Sequence, residues 1–215
     1  INMEFPHLLQ LIKNKQFDTI YHEHFSYFSL SVVKKIFEFH NLTIFDVEEI
    51  STHGGSLRIY VKHQKNNKIK IEDSVNHILN SEEKFGMSEI NTYLEFSEKI
   101  KHLKKEIKKF FKETKEKKKK VICYGAAAKG NTLLNYCQIG KENIEFVVDN
   151  NQYKQGLYLP GSHLQIKDPN KILEVKPDFV FILPWNIKNE IMDEIEYIRD
   201  WGGKFVIAIP EIKIE

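Results

Sequence analysis

The spacing of apolar residues predicts a different structure in each of three stretches of the chain. In the first, residues 1–70, apolar positions recur every three or four residues over 30–40, which predicts a helix. Residues 42–47 and 56–61 are predicted strands, the second because polar and apolar side chains alternate along it. In the second stretch, residues 71–119, apolar positions three or four apart predict a helical region.

The third stretch, residues 120–215, alternates predicted strands with predicted helices. The elements are, in order, strand 121–124, turn 125–130, helix 131–137, strand 144–148, strand 178–183, helix 187–201 and strand 205–209. Such alternation is typical of a parallel sheet with helices on both faces. Ligands of these sheets bind beyond the carboxyl ends of the strands. Gly125, Asp149 and Trp185 each follow a predicted strand, so they are expected to line one crevice.

Composition argues against several classes of protein. The 32 basic and 30 acidic side chains leave a net charge of +2, which disfavours nucleic acid as a partner. The two cysteines form no Cys-x-x-Cys pair, so neither a disulfide framework nor a zinc knuckle is predicted. No apolar run approaches the ~20 residues that span a bilayer. The first residues lack a signal-peptide pattern and an initiator Met, so we expect a cytoplasmic protein and a chain that begins inside a larger one.

The segment Tyr21-His22-Glu23-His24 holds four side chains that exchange protons or make hydrogen bonds. Histidine titrates near neutrality and serves as a base at cellular pH, and a neighbouring glutamate can fix its tautomer. In an extended backbone the two histidines would face one way and the other two side chains the opposite way. A catalytic site and a pair of surface histidines both fit. A metal site of His22, His24 and His53 is a further alternative, but no cysteine or carboxylate cluster completes it and no metal is predicted.

Two glycine-containing segments are candidates for binding or for turns. Gly54-Gly55 precedes a predicted strand, where a tight turn suits glycine, and Arg58 is expected to pair with a carboxylate. The segment from Gly125 to Gly130 joins a strand to a helix, as dinucleotide- and phosphate-binding loops do. A turn without a ligand remains an alternative for both segments.

The second of these segments departs from the dinucleotide-binding pattern at one position. Ala127 stands where the dinucleotide fingerprint has a glycine that lets the backbone approach the pyrophosphate. Asp149 follows at close to the ~20-residue separation of a ribose-binding acid. An NAD-dependent oxidoreductase is therefore a weaker alternative than a domain that binds another nucleotide.

Several strings together resemble one family. Residues 21–28 (Tyr-His-Glu-His-Phe-Ser-Tyr-Phe) and 52–58 (Thr-His-Gly-Gly-Ser-Leu-Arg) are similar to SAM-dependent C-methyltransferases that act on nucleotide-linked keto-deoxysugars, among them the sugar 3-C-methyltransferases. Five later strings look like the C-terminal domain of that family, namely 124–131, 148–150, 154–156, 159–163 and 183–186. The resemblance covers essentially the whole chain in order.

The resemblance implies an architecture of the α/β class. Family members have an N-terminal zinc module, a central SAM-binding domain and a C-terminal Rossmann-like domain. Residues 1–70 are then expected to be the trailing strands of a class I methyltransferase domain, 71–119 a helical connector, and 120–215 the Rossmann-like domain. The zinc module and the SAM loop are absent from this sequence. SAM is therefore expected to bind mainly residues outside it, the isolated chain is expected to be inactive, and a homodimer is allowed.

The resemblance also implies residue roles. His24 is the expected base, which removes the proton next to a C4 ketone so that the resulting enolate attacks the methyl group of SAM. Glu23 is expected to orient the histidine region, Tyr21 to contact the substrate, and His22 belongs to the same catalytic set. The expected ligand is a nucleotide-linked sugar. The residues expected to bind it are His53, Arg58, Tyr124, Gly125, Ala126, Ala127, Lys129, Gly130, Asn131, Asp149, Asn150, Trp185 and Asn186. A module that binds such a sugar without chemistry of its own is the alternative function.

Overall fold

The computed structural model describes all 215 residues, Ile1–Glu215, which group into two compact units. The first unit comprises Ile1–Gln16 and Glu23–Glu98, and the second comprises Phe17–His22 and Lys99–Glu215. The short segment Phe17–His22 thus belongs to the unit formed by the later part of the chain. The predicted division at residues 70 and 119 remains a prediction of domain boundaries.

The first unit is built on a three-stranded antiparallel sheet. Its elements are β1 (Asn2–Pro6), α1 (Leu8–Lys13), α2 (Leu30–Phe39), β2 (Leu42–Ile50), β3 (Ser56–His63), α3 (Asp73–Phe85) and the first residues of α4 (Ile90–Glu116). The strand order is β1-β3-β2, with β3 antiparallel to both neighbours. The predicted helix at 30–40 and both predicted strands are present.

Alternation along β3 explains which face of this sheet is buried. Leu57, Ile59 and Val61 point to the core, which also contains Leu30 of α2 and Val75 of α3. The predicted helical region of residues 71–119 is two helices, because Gly86 ends α3 in the left-handed conformation at φ 80°. Glycine adopts this conformation without the steric penalty of a Cβ.

The second unit contains a mostly parallel six-stranded sheet. Its further elements are β4 (Val121–Tyr124), α5 (Ala128–Cys137), β5 (Val147–Val148), β6 (Ile166–Lys167), α6 (Lys171–Val175), β7 (Phe179–Ile182), α7 (Lys188–Glu194), β8 (Lys204–Ile207) and β9 (Lys213–Ile214). The strand order is β6-β5-β4-β7-β8-β9, and only β9 runs antiparallel to its neighbour. The predicted α/β class with a parallel sheet is confirmed.

Side chains of the central strands are buried on both faces of this sheet. On one face, Ile122 and Val180 belong to a cluster with Ile191 of α7. On the other, the ring of Phe181 lies 5.3 Å from that of Phe111 in α4. Strands that are covered on both faces have continuous runs of apolar residues, and such runs allowed β4 and β7 to be predicted from the sequence.

The elements that were not predicted from the sequence are too short to show a periodic pattern of apolar residues. The strands β6 and β9, of two residues each, and the five-residue helix α6 were not predicted. The predicted helix at 187–201 is broken into α7 and a 3₁₀ segment, Glu196–Trp201, and β5 is shorter than predicted. None of the helices combines the length and the apolar composition that a membrane-spanning helix requires.

Candidate active site

The segment that carries Tyr21, His22, Glu23 and His24 is a turn-containing loop without helix or strand. The backbone bends at Tyr21 and turns at the next two residues, so the alternation of an extended stretch does not apply. His22 and Glu23 are exposed, whereas Tyr21 and His24 are half-buried. The ring of Tyr21 lies 6.4 Å from that of His22, and the ring of His24 lies 6.2 Å from that of Tyr27. Solvent can therefore reach the proton-active groups while part of each flanking ring is packed.

A buried carboxyl group lies just before this loop. Residues Phe17–Thr19 form a 3₁₀ segment that is buried throughout, and Asp18 has no exposed surface. The indole Nε1 of Trp185 donates a hydrogen bond of 2.7 Å to Oδ2 of Asp18. The ring of Phe17 lies 5.0 Å from that of Tyr136 in α5. These contacts attach the start of the loop to the second unit.

Burial raises the pKa of Asp18 to about 6, against the hydrogen bond from Trp185 and the charge of Lys129, which lower it. Oδ1 of Asp18 makes no hydrogen bond of ordinary geometry, although nearby backbone N–H groups favour the charged form. Lys129 places Nζ 4.7 Å from the ring centre of Trp185 and donates to Oδ1 of Asn186 over 2.7 Å. Burial lowers the pKa of Lys129, and Asp18 opposes that shift.

A second buried carboxylate holds the other end of the loop within the first unit. Oε1 of Glu82 accepts from Nε2 of His7 at 2.8 Å and from the backbone N–H of Leu30 at 2.5 Å, and Oε2 accepts from the N–H of Ser31 at 2.9 Å. Leu30 and Ser31 begin α2, where backbone N–H groups lack partners inside the helix. Burial would raise the pKa of Glu82, but the hydrogen bonds from His7, Ser31 and Leu30 outweigh it and hold the pKa below its usual value.

The glycine turn before β3 packs on α1. His53, Gly54 and Gly55 all have positive φ, and a Cβ on Gly55 would lie 2.8 Å from Cγ of Gln10. The carbonyl of Gly54 accepts from Nε2 of Gln16 over 2.7 Å. Close packing and backbone conformation thus account for the glycines without a ligand.

Arg58 pairs with carboxylates, as predicted. Its guanidinium donates to Glu4 at 3.1 Å and to Glu48 at 3.4 Å, since β3 lies between β1 and β2. The hydrogen bond to Glu4 raises the pKa of Arg58. The predicted substrate contact of Arg58, like that of the exposed His53, stays a prediction.

The carboxyl edge of the six-stranded sheet collects the later candidate residues. Gly125 follows β4 at φ 88°, and a Cβ there would lie 2.5 Å from Cδ of Pro184. A Cβ on Gly130 would lie 2.6 Å from Cβ of Leu183, so this glycine lets α5 approach β7. Close helix–strand packing is also the role of the third glycine in dinucleotide-binding turns. Ala127 precedes the first residue of α5.

Asp149 stabilises the loops at this edge. Its Oδ2 accepts from the N–H of Ala126 at 2.7 Å and from Nζ of Lys154 at 3.3 Å, and Oδ1 accepts from the N–H of Asn151 at 2.8 Å. Both carboxylate oxygens therefore have partners within the chain. A ribose hydroxyl would have to share these oxygens, which weakens the comparison with NAD-binding domains.

Two further polar groups meet beside this edge. The hydroxyl of Tyr124 donates to Oε2 of Glu194 at 2.8 Å, and Nδ2 of Asn150 donates to the same hydroxyl at 3.0 Å. Burial, and then Glu194, raise the pKa of Tyr124. Asn150 and Glu194 line a cleft of about 470 Å³ together with Gln155 and Asp168. The side chain of Asn131, in α5, accepts from Asn135 at 3.2 Å.

The C-methyltransferase C-terminal domain family matches residues 51–210 of the chain. The chain belongs to this family. It is also 36% identical, over 212 residues, to C-methyltransferase NovU of Streptomyces niveus, a match that covers 99% of the chain and 50% of NovU. The chain thus spans about half the length of this curated relative. The predicted resemblance to C-methyltransferases is confirmed.

The loop of residues 21–24 lies outside the residues that match the family but inside the match to NovU. Gly125, Asp149 and Trp185 follow the parallel strands β4, β5 and β7 at one sheet edge, as their positions after predicted strands indicated. No group of three His, Cys, Asp or Glu side chains is arranged so that it could hold a metal ion.

No pattern in the sequence marks the two buried acids that flank the loop. Asp18 stands in a polar stretch that is typical of a surface turn, and Glu82 is one of several acidic residues in an amphipathic helix. Their partners are distant in sequence, at 167 residues for Asp18 and Trp185 and 75 for His7 and Glu82. Only the folded structure reveals these pairs.

Proposed function

We propose that this chain is the part of a SAM-dependent C-methyltransferase that removes a proton from a nucleotide-linked 4-keto-deoxysugar and holds that sugar, in the cytoplasm. The observation that carries the proposal is the loop of Tyr21, His22, Glu23 and His24, which is solvent-accessible and held at both ends by buried carboxyl groups. Reactive groups on a loop fixed by a rigid scaffold are the usual arrangement in enzymes. Membership of the C-methyltransferase family supports the reaction class.

The residues of this chain do not fit the methyl donor. The glycine turn after β4 has Ala127 where a dinucleotide-type loop has glycine, and Asp149 already accepts hydrogen bonds on both oxygens. We propose that SAM, which supplies an electrophilic methyl group when bound, is held by residues outside this sequence. On this proposal the isolated chain transfers no methyl group.

In the proposed reaction, neutral His24 accepts the proton from the sugar carbon next to the ketone. The electron pair of the broken C–H bond moves into the enolate, and His24 becomes an imidazolium ion. Glu23 stabilises that cation or orients the ring, and Tyr21 and His22 contact the sugar near the developing negative charge. A positioned general base typically accelerates such a step by ~10²–10⁴-fold.

The nucleotide portion is proposed to bind at the carboxyl edge of the six-stranded sheet. Counted from its first strand, the sheet has the order 3-2-1-4-5-6, which is that of Rossmann-like domains and supports this interpretation. Lys129 offers a cation beside the Trp185 ring, and the cleft beside Asn150 is lined by polar groups suited to hydroxyls. Asn186 accepts from Lys129 and is placed to orient it.

The free edge of β1 supports the proposal that the sheet of the first unit is part of a larger sheet. The strand β1 pairs only with β3, so its other edge presents unpaired backbone groups. Such edges are normally covered or extended by another strand. We propose that the three strands are the trailing part of a methyltransferase sheet whose remaining strands pair with β1.

Deuterium incorporation tests the proton-transfer step separately from methyl transfer. The complete protein, incubated in D2O with a dTDP-linked 4-keto-deoxysugar and no SAM, is expected to exchange the hydrogen at the neighbouring carbon, followed by mass spectrometry. His24→Gln should slow this exchange at least 100-fold and change sugar-nucleotide affinity less than threefold. His63→Gln, an exposed histidine at the end of β3, is the matched control and should exchange normally.

The same variants separate the alternative functions. Exchange that is unchanged in His24→Gln contradicts the assignment of the base. A protein that binds the sugar nucleotide in calorimetry but exchanges no hydrogen is the binding module without chemistry. Tight NAD binding without sugar-nucleotide binding would replace the proposal with an oxidoreductase.

A further inference from the structure

One buried acid is not explained by the proposed chemistry. Asp18 is fully buried, yet it belongs to neither the loop of proton-active groups nor the sheet edge. An ionisable side chain is rarely buried unless it is paired or serves a function. Its indole partner, Trp185, is one of the residues expected to bind the sugar nucleotide.

Within the second unit, the hydrogen bond between Asp18 and Trp185 joins the segment that leads to Tyr21 and His22 to the sheet edge. Asp18 stands three residues before Tyr21 in the chain, so their Cα atoms lie within about 10 Å, the reach of three extended residues. Trp185 follows β7 at the carboxyl edge of the sheet. Tyr21, His22 and Trp185 all belong to the second unit.

The surroundings of the indole leave it little freedom. Its N–H is held by Asp18 at 2.7 Å, and Nζ of Lys129 lies 4.7 Å from the ring centre. Lys129 is itself held by Asn186 at 2.7 Å. On the side of the chain segment, Phe17 packs on Tyr136 and fixes the backbone of Asp18 against α5. A shift of either Asp18 or Trp185 is thus transmitted to the other.

We propose that Asp18 is a positioning residue, which holds the segment bearing Tyr21 and His22 in register with the sugar-nucleotide-binding edge through Trp185. This inference rests on the proposed function. Reaction geometry is sensitive to displacements of about 1 Å, which can reduce rates ~100-fold while binding is little changed. Loss of the Asp18 acceptor should therefore affect turnover more than affinity.

Three variants and a control test the role in the complete protein. Asp18→Ala removes the acceptor and Trp185→Phe removes the donor. Asp18→Asn keeps an acceptor oxygen on a side chain of similar shape. Asp178→Ala is the matched control, because Asp178 accepts from Lys119 at 2.8 Å and from the N–H of Lys120 at 2.8 Å, where the chain enters β4. A purely structural role predicts the same behaviour for Asp18 and Asp178.

The expected kinetic result is a separation of turnover from affinity. Asp18→Ala should slow deuterium exchange of the keto-sugar at least tenfold and change sugar-nucleotide affinity less than threefold. Asp18→Asn should restore exchange to within threefold of the unaltered protein. Asp18→Ala and Trp185→Phe together should be no slower than the slower single variant, and Asp178→Ala should exchange normally.

The hydrogen bond itself is measured without substrate. This chain contributes two tryptophans, whose indole N–H signals in a ¹⁵N–¹H spectrum of the complete protein are assigned by substituting each in turn. The signal of Trp185 should move in Asp18→Ala, whereas that of Trp201, which donates to the carbonyl of Pro177, should stay. An unmoved Trp185 signal overturns the proposal.

Two other outcomes are distinguishable. If the unaltered protein and Asp18→Ala exchange hydrogen equally fast, or if Asp178→Ala loses as much turnover as Asp18→Ala, the positioning role is wrong and the proposed function stands. If the unaltered protein exchanges no hydrogen, the proposed function fails, and the catalytic role of Asp18 fails with it.

Discussion

The indole N–H of Trp185 donates to the carboxylate of Asp18 over 2.7 Å, although 167 residues separate them in the chain. This bond joins a segment near the start of the sequence to the carboxyl edge of the six-stranded sheet, within one unit. Within the other unit, Glu82 holds the start of α2. The proposed base, His24, lies in the chain between Asp18 and the start of α2. The pKa of Asp18 is raised, whereas that of Glu82 is lowered.

Asp18 should make stability fall as the pH rises. Its pKa is raised from 3.8 to about 6 in the folded state, so its stabilising contribution is complete below pH 3.8 and is lost as the pH rises to 6. The loss amounts to about 3 kcal/mol from the two-unit shift. The facing groups that modulate it are Lys129, Trp185 and Cys137. Urea unfolding of Asp18→Asn should lack this decline between pH 4 and 7, and a parallel decline in both proteins would contradict the assignment.

Glu82 should have the opposite pH dependence. Because hydrogen bonds lower its pKa in the folded state, its contribution is present at neutral pH and is lost as the pH falls through the lowered value. Glu82→Ala leaves His7 and two backbone N–H groups at the start of α2 without an acceptor, which should cost about 3 kcal/mol at pH 7. Urea unfolding and amide exchange of Leu30 and Ser31 measure this loss. The exposed neighbour Glu83→Ala should be nearly neutral, and Glu82→Gln should fall between the two.

Gly130→Ala should destabilise the second unit although alanine favours helices. The new Cβ would lie 2.6 Å from Cβ of Leu183 and force α5 away from β7. Overpacking of this kind costs about 1–3 kcal/mol, more than the ~1 kcal/mol gained in helix propensity. Thermal unfolding should show a lower Tm. Thr132→Ala in the same helix is the control, and a Gly130→Ala protein as stable as this control would contradict the predicted clash.

Lys129→Met should weaken binding of a sugar nucleotide at least tenfold. The methionine keeps the packing on Trp185 but removes the ammonium group, which donates to Asn186 at the sheet edge. Isothermal calorimetry with a dTDP-sugar at two salt concentrations measures the loss. Lys171→Met, which removes an exposed ion pair with Glu174 on α6, is the matched control. Equal affinities for the two variants would contradict a contact between Lys129 and the nucleotide portion of the ligand.

The elements that the sequence predicted well are those with a clear period or a continuous apolar run. The helix α2, the alternating strand β3 and the buried strands β4 and β7 were all placed correctly, since each has enough residues to show its burial pattern. The break at Gly86 and the two-residue strands β6 and β9 were missed, because they depend on backbone conformation and on pairing with neighbours.

The candidate site divides in the same way. The order of strands and loops placed Gly125, Asp149 and Trp185 at one edge, and strings of residues were enough to indicate the C-methyltransferase family. Only the structure identifies the partners of two polar side chains. Asp149 accepts hydrogen bonds within its own loops, and Arg58 pairs with the carboxylates of Glu4 and Glu48.

The sequence by itself determined the family, the α/β class and the chemical groups available for proton transfer, because these follow from local patterns and residue types. Tertiary structure alone decided that Asp18 is buried against Trp185 and that Glu82 holds the start of α2. The pKa of a carboxyl group depends on its solvation and on its partners in space, and neither can be read from positions along the chain.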